Sequence, residues 1–203
     1  VLAAYGIPVT REGLARDEAE AVSLAEELGY PVALKACSAE LMHKSEQEAV
    51  LLNLSDREAV RRGAARILAS AQAPLDGILV QEMIPGNREL VMGLTRDPQF
   101  GPCVMLGLGG VMTEILEDTT FRVAPFDAAE AGEMTRELRA SALLGPFRGQ
   151  SAADLEALCR ALVAMGRIGL ELDLVAELDV NPVIITPQGG IVSADALVVL
   201  GKE

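Results

Sequence analysis

The chain has 203 residues, half of them hydrophobic but only 3% aromatic, and it carries a net charge of −13. That length suits one large domain or two small lobes with a core of Ala, Val, Leu and Ile. So acidic a surface argues against nucleic acid and anionic membrane as partners, but not against a nucleotide, which needs only a few local cations. Cys37, Cys103 and Cys159 are odd in number, widely spaced and without a CxxC pair, which fits buried cytosolic thiols better than disulfides or zinc. No run of about 18 apolar residues is present, so no membrane span is expected. Val1 to Tyr5 has neither a basic flank nor a cleavage pattern. The chain opens mid-pattern without Met and is expected to be a piece of a longer, cytoplasmic polypeptide.

Asp17 to Leu28 predicts a helix, with acidic residues in its first half and Gly29 as the stop. Tyr30 to Lys35 reads as a short buried strand. Its terminal lysine either snorkels to solvent or aims a cation at a ligand. Cys37 to Glu48 is a polar connection holding His43, the single histidine of the chain, which is either a bystander or a catalyst. Ala49 to Leu54 is a second strand. Ser55-Asp56-Arg57-Glu58 is a capping box that opens a helix to about Ser70. Ile78 to Met83 is a third strand after the turn Pro74 to Gly77.

Pro85-Gly86-Asn87 breaks the pattern and marks a hinge. Strands are expected at Leu90 to Arg96, preceded by Glu89, at Cys103 to Leu106, and at Phe121 to Pro125 around Arg122. Gly107-Leu108-Gly109-Gly110 is not G-x-G-x-x-G and by itself is weak evidence for phosphate binding. Asp127-x-x-Glu130 caps a helix to about Arg139. Ser151-x-x-Asp154 opens a longer amphipathic one.

The end of the chain carries the sharpest chemistry. Glu177, Asp179 and Asn181 alternate with Leu178 and Val180, so an extended strand puts the acidic and amide groups on one face. Pro187-Gln188-Gly189-Gly190 turns the chain, and the return limb brings Asp195 opposite Asn181, to within one residue of register. Two carboxylates and an amide oxygen converging in this way suit Mg2+, with water and phosphates as its other ligands. A solvated acidic hairpin is the plainer alternative.

Seven motifs occur in order: Tyr5-Gly6-Ile7-Pro8, Gly29 to Lys35, His43-Lys44-Ser45, Val80 to Met83, Asp97 to Pro102, Gly107 to Gly110, and Glu177 to Pro182. Together they resemble the ATP-grasp domain of ADP-forming acyl-CoA synthetases, relatives of the succinyl-CoA synthetase β subunit, over nearly the whole chain. The resemblance implies an α/β (α+β) ATP-grasp fold in which two lobes hold ATP between them, with residues 20–83 as the smaller lobe and 1–19 plus 84–203 as the larger. It implies reversible conversion of acyl-CoA, ADP and phosphate into acid, CoA and ATP through a phosphohistidine. Lys35 and Arg122 would meet ATP phosphates, Val80, Gln81, Glu82 and Met83 would read adenine with Glu82 near its amine, and Glu89 would hold the ribose. Asp179, Asn181 and Asp195 would bind Mg2+, and His43 would take phosphate. A CoA-binding, phosphohistidine-bearing module would be the partner. The family continues His-Lys-Ser-Asp-x-Gly-Gly-Val, whereas this chain has Glu48 and Ala49 in place of both glycines. That departure motivates an alternative, a degenerate regulatory module of a bacterial protein-lysine acetyltransferase, whereas the intact Asp179-Val180-Asn181-Pro182 motif and Arg122 favour the enzyme.

Overall fold

The computed structural model describes residues 1–38, 50–70, 74–110 and 118–201. His43, Lys44, Ser45, Glu48 and Ala49 lie outside these residues. The chain divides into two compact units. One is Thr10–Met83; the other joins Val1–Val9 to Ile84–Glu203. No described helix is long and apolar enough to cross a membrane.

The smaller unit has one four-stranded sheet in the order β1-β4-β2-β3, formed by β1 (Glu12–Ala15), β2 (Val32–Cys37), β3 (Val50–Leu54) and β4 (Gly77–Glu82). Its strands pair antiparallel. The unit begins at Thr10 rather than at residue 20 because β1, which the sequence pattern did not reveal, pairs along β4 from Glu12↔Gln81 to Ala15↔Ile78. Four residues with a single buried side chain, Ala15, carry too short an alternation to be read as a strand. Helix α1 (Glu18–Leu28) starts where the Asp17 carboxylate accepts from Glu20 N–H and stops at Gly29, whose φ of 87° suits glycine. Helix α2 (Arg57–Ser70) is capped by Asp56, which accepts from Ala59 N–H at 2.8 Å, one residue later than the expected Ser55. Both helices pack on one face of the sheet. Their contact buries Val22, Val60, Ile67, Val32, Leu34, Ile78 and Val80 in one cluster, each worth about 1.5–3 kcal/mol against exposure.

The larger unit is built on a sheet ordered β10-β8-β5-β6-β7, with β9 paired to β8. Its strands are β5 (Arg88–Asp97), β6 (Gly101–Leu108), β7 (Thr119–Val123), β8 (Val175–Ile185), β9 (Ile191–Ser193) and β10 (Ala196–Leu200). Helices α3 (Ala128–Glu137) and α4 (Leu155–Glu171) cover one face. Asp154, not Ser151, is the N-cap of α4 and accepts from Ala157 N–H. At its other end the Arg96 guanidinium donates to the carbonyls of Gly169, Leu172 and Val175 at 2.7–2.8 Å, satisfying terminal oxygens and opposing the helix dipole. The apolar stripe of α4 meets Leu90, Met92, Leu94, Val104 and Leu106 from the sheet.

The turn after β8 depends on one glycine. Gly189 has φ 95°, and a Cβ there would stand 2.1 Å from the Ala152 carbonyl oxygen. This contact seats the turn beneath the entry to α4 and holds the return limb in register.

Candidate nucleotide and metal site

The terminal hairpin has the expected register. Asn181 N–H donates to the Asp195 carbonyl at 3.1 Å, and Ala194 N–H to that of Pro182 at 2.9 Å. The return limb is split: β9 pairs with Val183 to Ile185, and β10 with the stretch from Val175 to Val180. Asp195 sits at the break, where its side chain accepts from Ala196 N–H at 2.9 Å.

Cross-strand pairing tells which face each side chain takes. Leu197, Asp179, Gly93, Met105 and Phe121 form one row across the large sheet. Along β8, Glu177, Asp179 and Asn181 are exposed while Leu178 and Val180 are buried against the helices. The carboxylates therefore stand on the face turned away from α3 and α4, as their alternation predicted. The same face continues beyond Met105 into an apolar cleft of about 280 Å³ whose lining includes Phe100, Cys103, Phe121 and Val123. Although Asp179 is exposed as a residue, partial desolvation of its carboxyl and then the neighbouring Asp195 carboxylate raise that carboxyl above its usual range. Two carboxylates that repel one another at a strand end are the chemistry a hard divalent cation relieves. Among the described residues no three His, Cys, Asp or Glu side chains come together as a metal cage. The hairpin thus offers a partial oxygen shell, Asp179, Asn181 and Asp195, of the kind Mg2+ accepts when phosphates and water complete it.

Arg122 does not join this face. It lies in the adjacent row with Leu178, Leu94 and Val104, all core residues. Its Nη2 and Nη1 bind Glu137 at 2.6 and 3.0 Å and its Nε binds Glu130 at 3.0 Å, both glutamates lying on α3. In this structure Arg122, expected to meet ATP phosphates, forms an ion-pair anchor between β7 and α3. The reason is parity: Phe121, one residue earlier, takes the open face. Glu137 is held down to about 2 by its hydrogen bond from Arg122 and then by Thr120. Its contribution to stability is present above the unfolded value near 4.5 and is lost as pH falls through about 2. Between those limits the melting temperature of Glu137→Gln is expected to fall less steeply with acid than that of the parent. Parallel melting curves would remove the anchor from the account.

In the smaller unit, Lys35 occupies a row with Leu14, Leu79 and Val50 on the face away from α1 and α2, where a lysine closing an apolar strand can meet a ligand. Gln81 alternates onto that face too, but its side chain is buried and donates to Thr10 Oγ1 and Glu12 Oε2, both at 2.8 Å. It ties β4 to β1. Glu82 takes the helix side, in the row of Val32 and Leu54. Its carboxylate accepts from Arg11 N–H at 2.7 Å and from Arg11 Nε at 2.8 Å. The Glu82 side chain, expected near an adenine amine, is bound by Arg11 in this structure. Arg11 was missed in the sequence because no motif surrounds it.

Glu89, on β5, has a half-buried side chain. Its carbonyl accepts from Gly109 N–H at 2.8 Å. A Cβ at Gly109 would meet the Glu89 and Leu90 backbone at 2.9 Å. The glycine run thus serves close passage of the chain along β5 beside Glu89.

A family model described as an ATP-grasp domain matches residues 1–200. The chain belongs to the ATP-grasp family. It is 40% identical over 205 residues to the acetate–CoA ligase [ADP-forming] I subunit beta of Pyrococcus furiosus, covering 98% of this chain and 88% of that subunit. It is 41% identical over 208 residues to the acetate–CoA ligase [ADP-forming] I of Archaeoglobus fulgidus, covering all of this chain but 30% of that longer protein. Among solved structures, the Ca. Korarchaeum cryptofilum dinucleotide-forming acetyl-coenzyme A synthetase 1 superposes with a TM-score of 0.87 at 45% identity, over 98% of this chain and 88% of that one. That structure was determined with coenzyme A and Mg-AMPPCP, its phosphohistidine segment pointing towards the nucleotide-binding site. The ATP-grasp domain is thus of the kind found in ADP-forming acetate–CoA ligases, and the acetyltransferase alternative has no support among these relatives.

Proposed function

We propose that this chain is the nucleotide-binding module of an ADP-forming acyl-CoA ligase, working in the cytoplasm with a CoA-binding, phosphohistidine-bearing module. The observation that carries the reading is the hairpin that sets Asp195 opposite Asn181 with Asp179 on the same face. Mg2+ held by these three residues would supply positive charge to the phosphate oxygens of ATP or ADP. Lys35 adds a second cation in a protein whose net charge is −13. Glu89 binds the ribose hydroxyls, and the main chain of Val80–Met83 meets the adenine. His43 attacks the γ-phosphorus of ATP through an imidazole nitrogen. A P–N bond forms, the bond to the β,γ-bridging oxygen breaks, and ADP leaves with that oxygen. The phosphoryl group then passes to the partner module, where acid and CoA become acyl-CoA and phosphate is released; the direction reverses for ATP synthesis.

The test is a calorimetric titration of the chain with ATP, in Mg2+ and then in EDTA. Binding that weakens by about tenfold or more without the metal is expected. Absence of binding in both conditions would overturn the reading.

A further inference from the structure

Arg11 makes a closed set of contacts at the end of β4. Its backbone N–H and its Nε donate to the two oxygens of the Glu82 carboxylate at 2.7 and 2.8 Å, and Glu82 N–H donates back to the Arg11 carbonyl at 3.0 Å. Its Nη2 reaches the Leu28 carbonyl at the end of α1, at 2.9 Å. Next along the chain, Met83 N–H donates to the Pro31 carbonyl at 3.3 Å, before β2. One arginine therefore joins three things: the residue that enters β1, the C-terminal turn of α1, and the last residue of β4. The Arg11 side chain is 63% exposed while that of Glu82 is 19% exposed, so the pair is a lid on the strand end rather than a core contact. Burial pulls the Glu82 carboxyl upward, but the Arg11 hydrogen bonds and charge outweigh it and leave the carboxyl of this latch below its usual range.

We infer that Arg11 is a positioning residue for nucleotide-base recognition: it sets the main chain of Gln81, Glu82 and Met83 through the Glu82 carboxylate. The inference rests on the nucleotide reading above and refines it. Main-chain groups discriminate between bases only if their positions are held, since a hydrogen bond weakens steeply as its distance and angle depart from the optimum. Here the guanidinium holds one carboxylate oxygen through Nε and Nη2 while the Arg11 backbone N–H holds the other, so both oxygens are fixed by charge-assisted or backbone hydrogen bonds from one residue.

The experiment titrates the full polypeptide that carries this chain with Mg-ATP and with Mg-GTP, comparing the parent with Arg11→Ala, Arg11→Lys, Glu82→Gln and Lys35→Ala. Arg11→Ala is expected to weaken Mg-ATP by about tenfold and to erode the preference for ATP over GTP. Arg11→Lys, which keeps the charge and the backbone contact, restores part of both. Glu82→Gln follows Arg11→Ala, and adding it to Arg11→Ala costs little more, as expected for one coupled unit. Lys35→Ala weakens both nucleotides alike. If the Arg11 and Glu82 variants melt at lower temperature but keep the parent's ATP-to-GTP ratio within about twofold, the latch is structural and the inference fails alone. If the parent binds neither nucleotide, the nucleotide reading fails and takes the latch with it. Should Arg11→Ala not fold, Arg11→Lys and Glu82→Gln decide the matter by the same ratio.

Discussion

Asp195→Asn is expected to lower Mg2+-dependent turnover of the complete ligase by about 10²–10³-fold while leaving the chain folded. Asparagine keeps an oxygen for the Ala196 N–H that the carboxylate now accepts at 2.9 Å, so the local turn survives. What is lost is one of the two negative charges that would face the proposed Mg2+ across the hairpin. Asp179→Asn makes a sharper pair with it. The Asp179 carboxyl is raised by burial and by Asp195, so the folded chain binds its proton more tightly than the unfolded chain does. By linkage, the stability this provides is complete below the unfolded aspartate value and is lost as pH rises through the raised folded value. Where both carboxylates are ionised, the metal-free chain therefore holds an uncompensated repulsion. Asp179→Asn should raise its melting temperature by about 1–2 °C while reducing the further rise that Mg-nucleotide gives the parent. Melting curves of both variants, with EDTA and with Mg-ATP, separate these effects. A metal-free Asp179→Asn no more stable than the parent, with an undiminished response to Mg-ATP, would place the cation elsewhere.

His43→Ala is expected to abolish acid-labile phosphate on the chain and to reduce acyl-CoA-dependent ATP synthesis by at least about 10³-fold. A neutral imidazole is a competent nucleophile near pH 7, and the chain has no second histidine to substitute for it. Intact-mass analysis after incubation with Mg-ATP reads the phosphate directly, and its loss in mild acid distinguishes a phosphoramidate from a serine ester. Mg-ATP affinity should stay near the parent value, which separates loss of the acceptor from loss of the site. Full activity in the variant would remove His43 from the relay. The same assay bears on Glu48 and Ala49. If the parent binds Mg-ATP but takes no phosphate even with its partner module present, restoring glycine at both positions is the next variant, because glycine permits closer backbone approach and carries no carboxylate.

Much of this was legible in the chain itself. The alternation from Glu177 to Asn181 predicted a strand with acidic and apolar sides, and the structure has that strand. The turn residues Pro187 to Gly190 predicted the return that brings Asp195 to Asn181. Asp127 and Asp17 cap the helices expected after them. These are short-range properties, in which residue type and spacing decide the backbone within a few positions. Strand β1 was not legible, since it earns its place only by pairing with β4, some 65 residues away in sequence.

The candidate site divides along the same line. Composition and motif order determined by themselves which residue types are available: one histidine, a strand-end lysine and an acidic hairpin with an amide. The tertiary structure alone decided which of them share a face. Lys35 lies on the open side of its sheet, whereas Glu82 turns under the helices to Arg11 and Arg122 turns under α3 to Glu130 and Glu137. A strand side chain changes face with every residue. The face that becomes the core is chosen by helices distant in sequence, so a charged residue named by its motif can be bound on either side until the sheet and its helices are packed together.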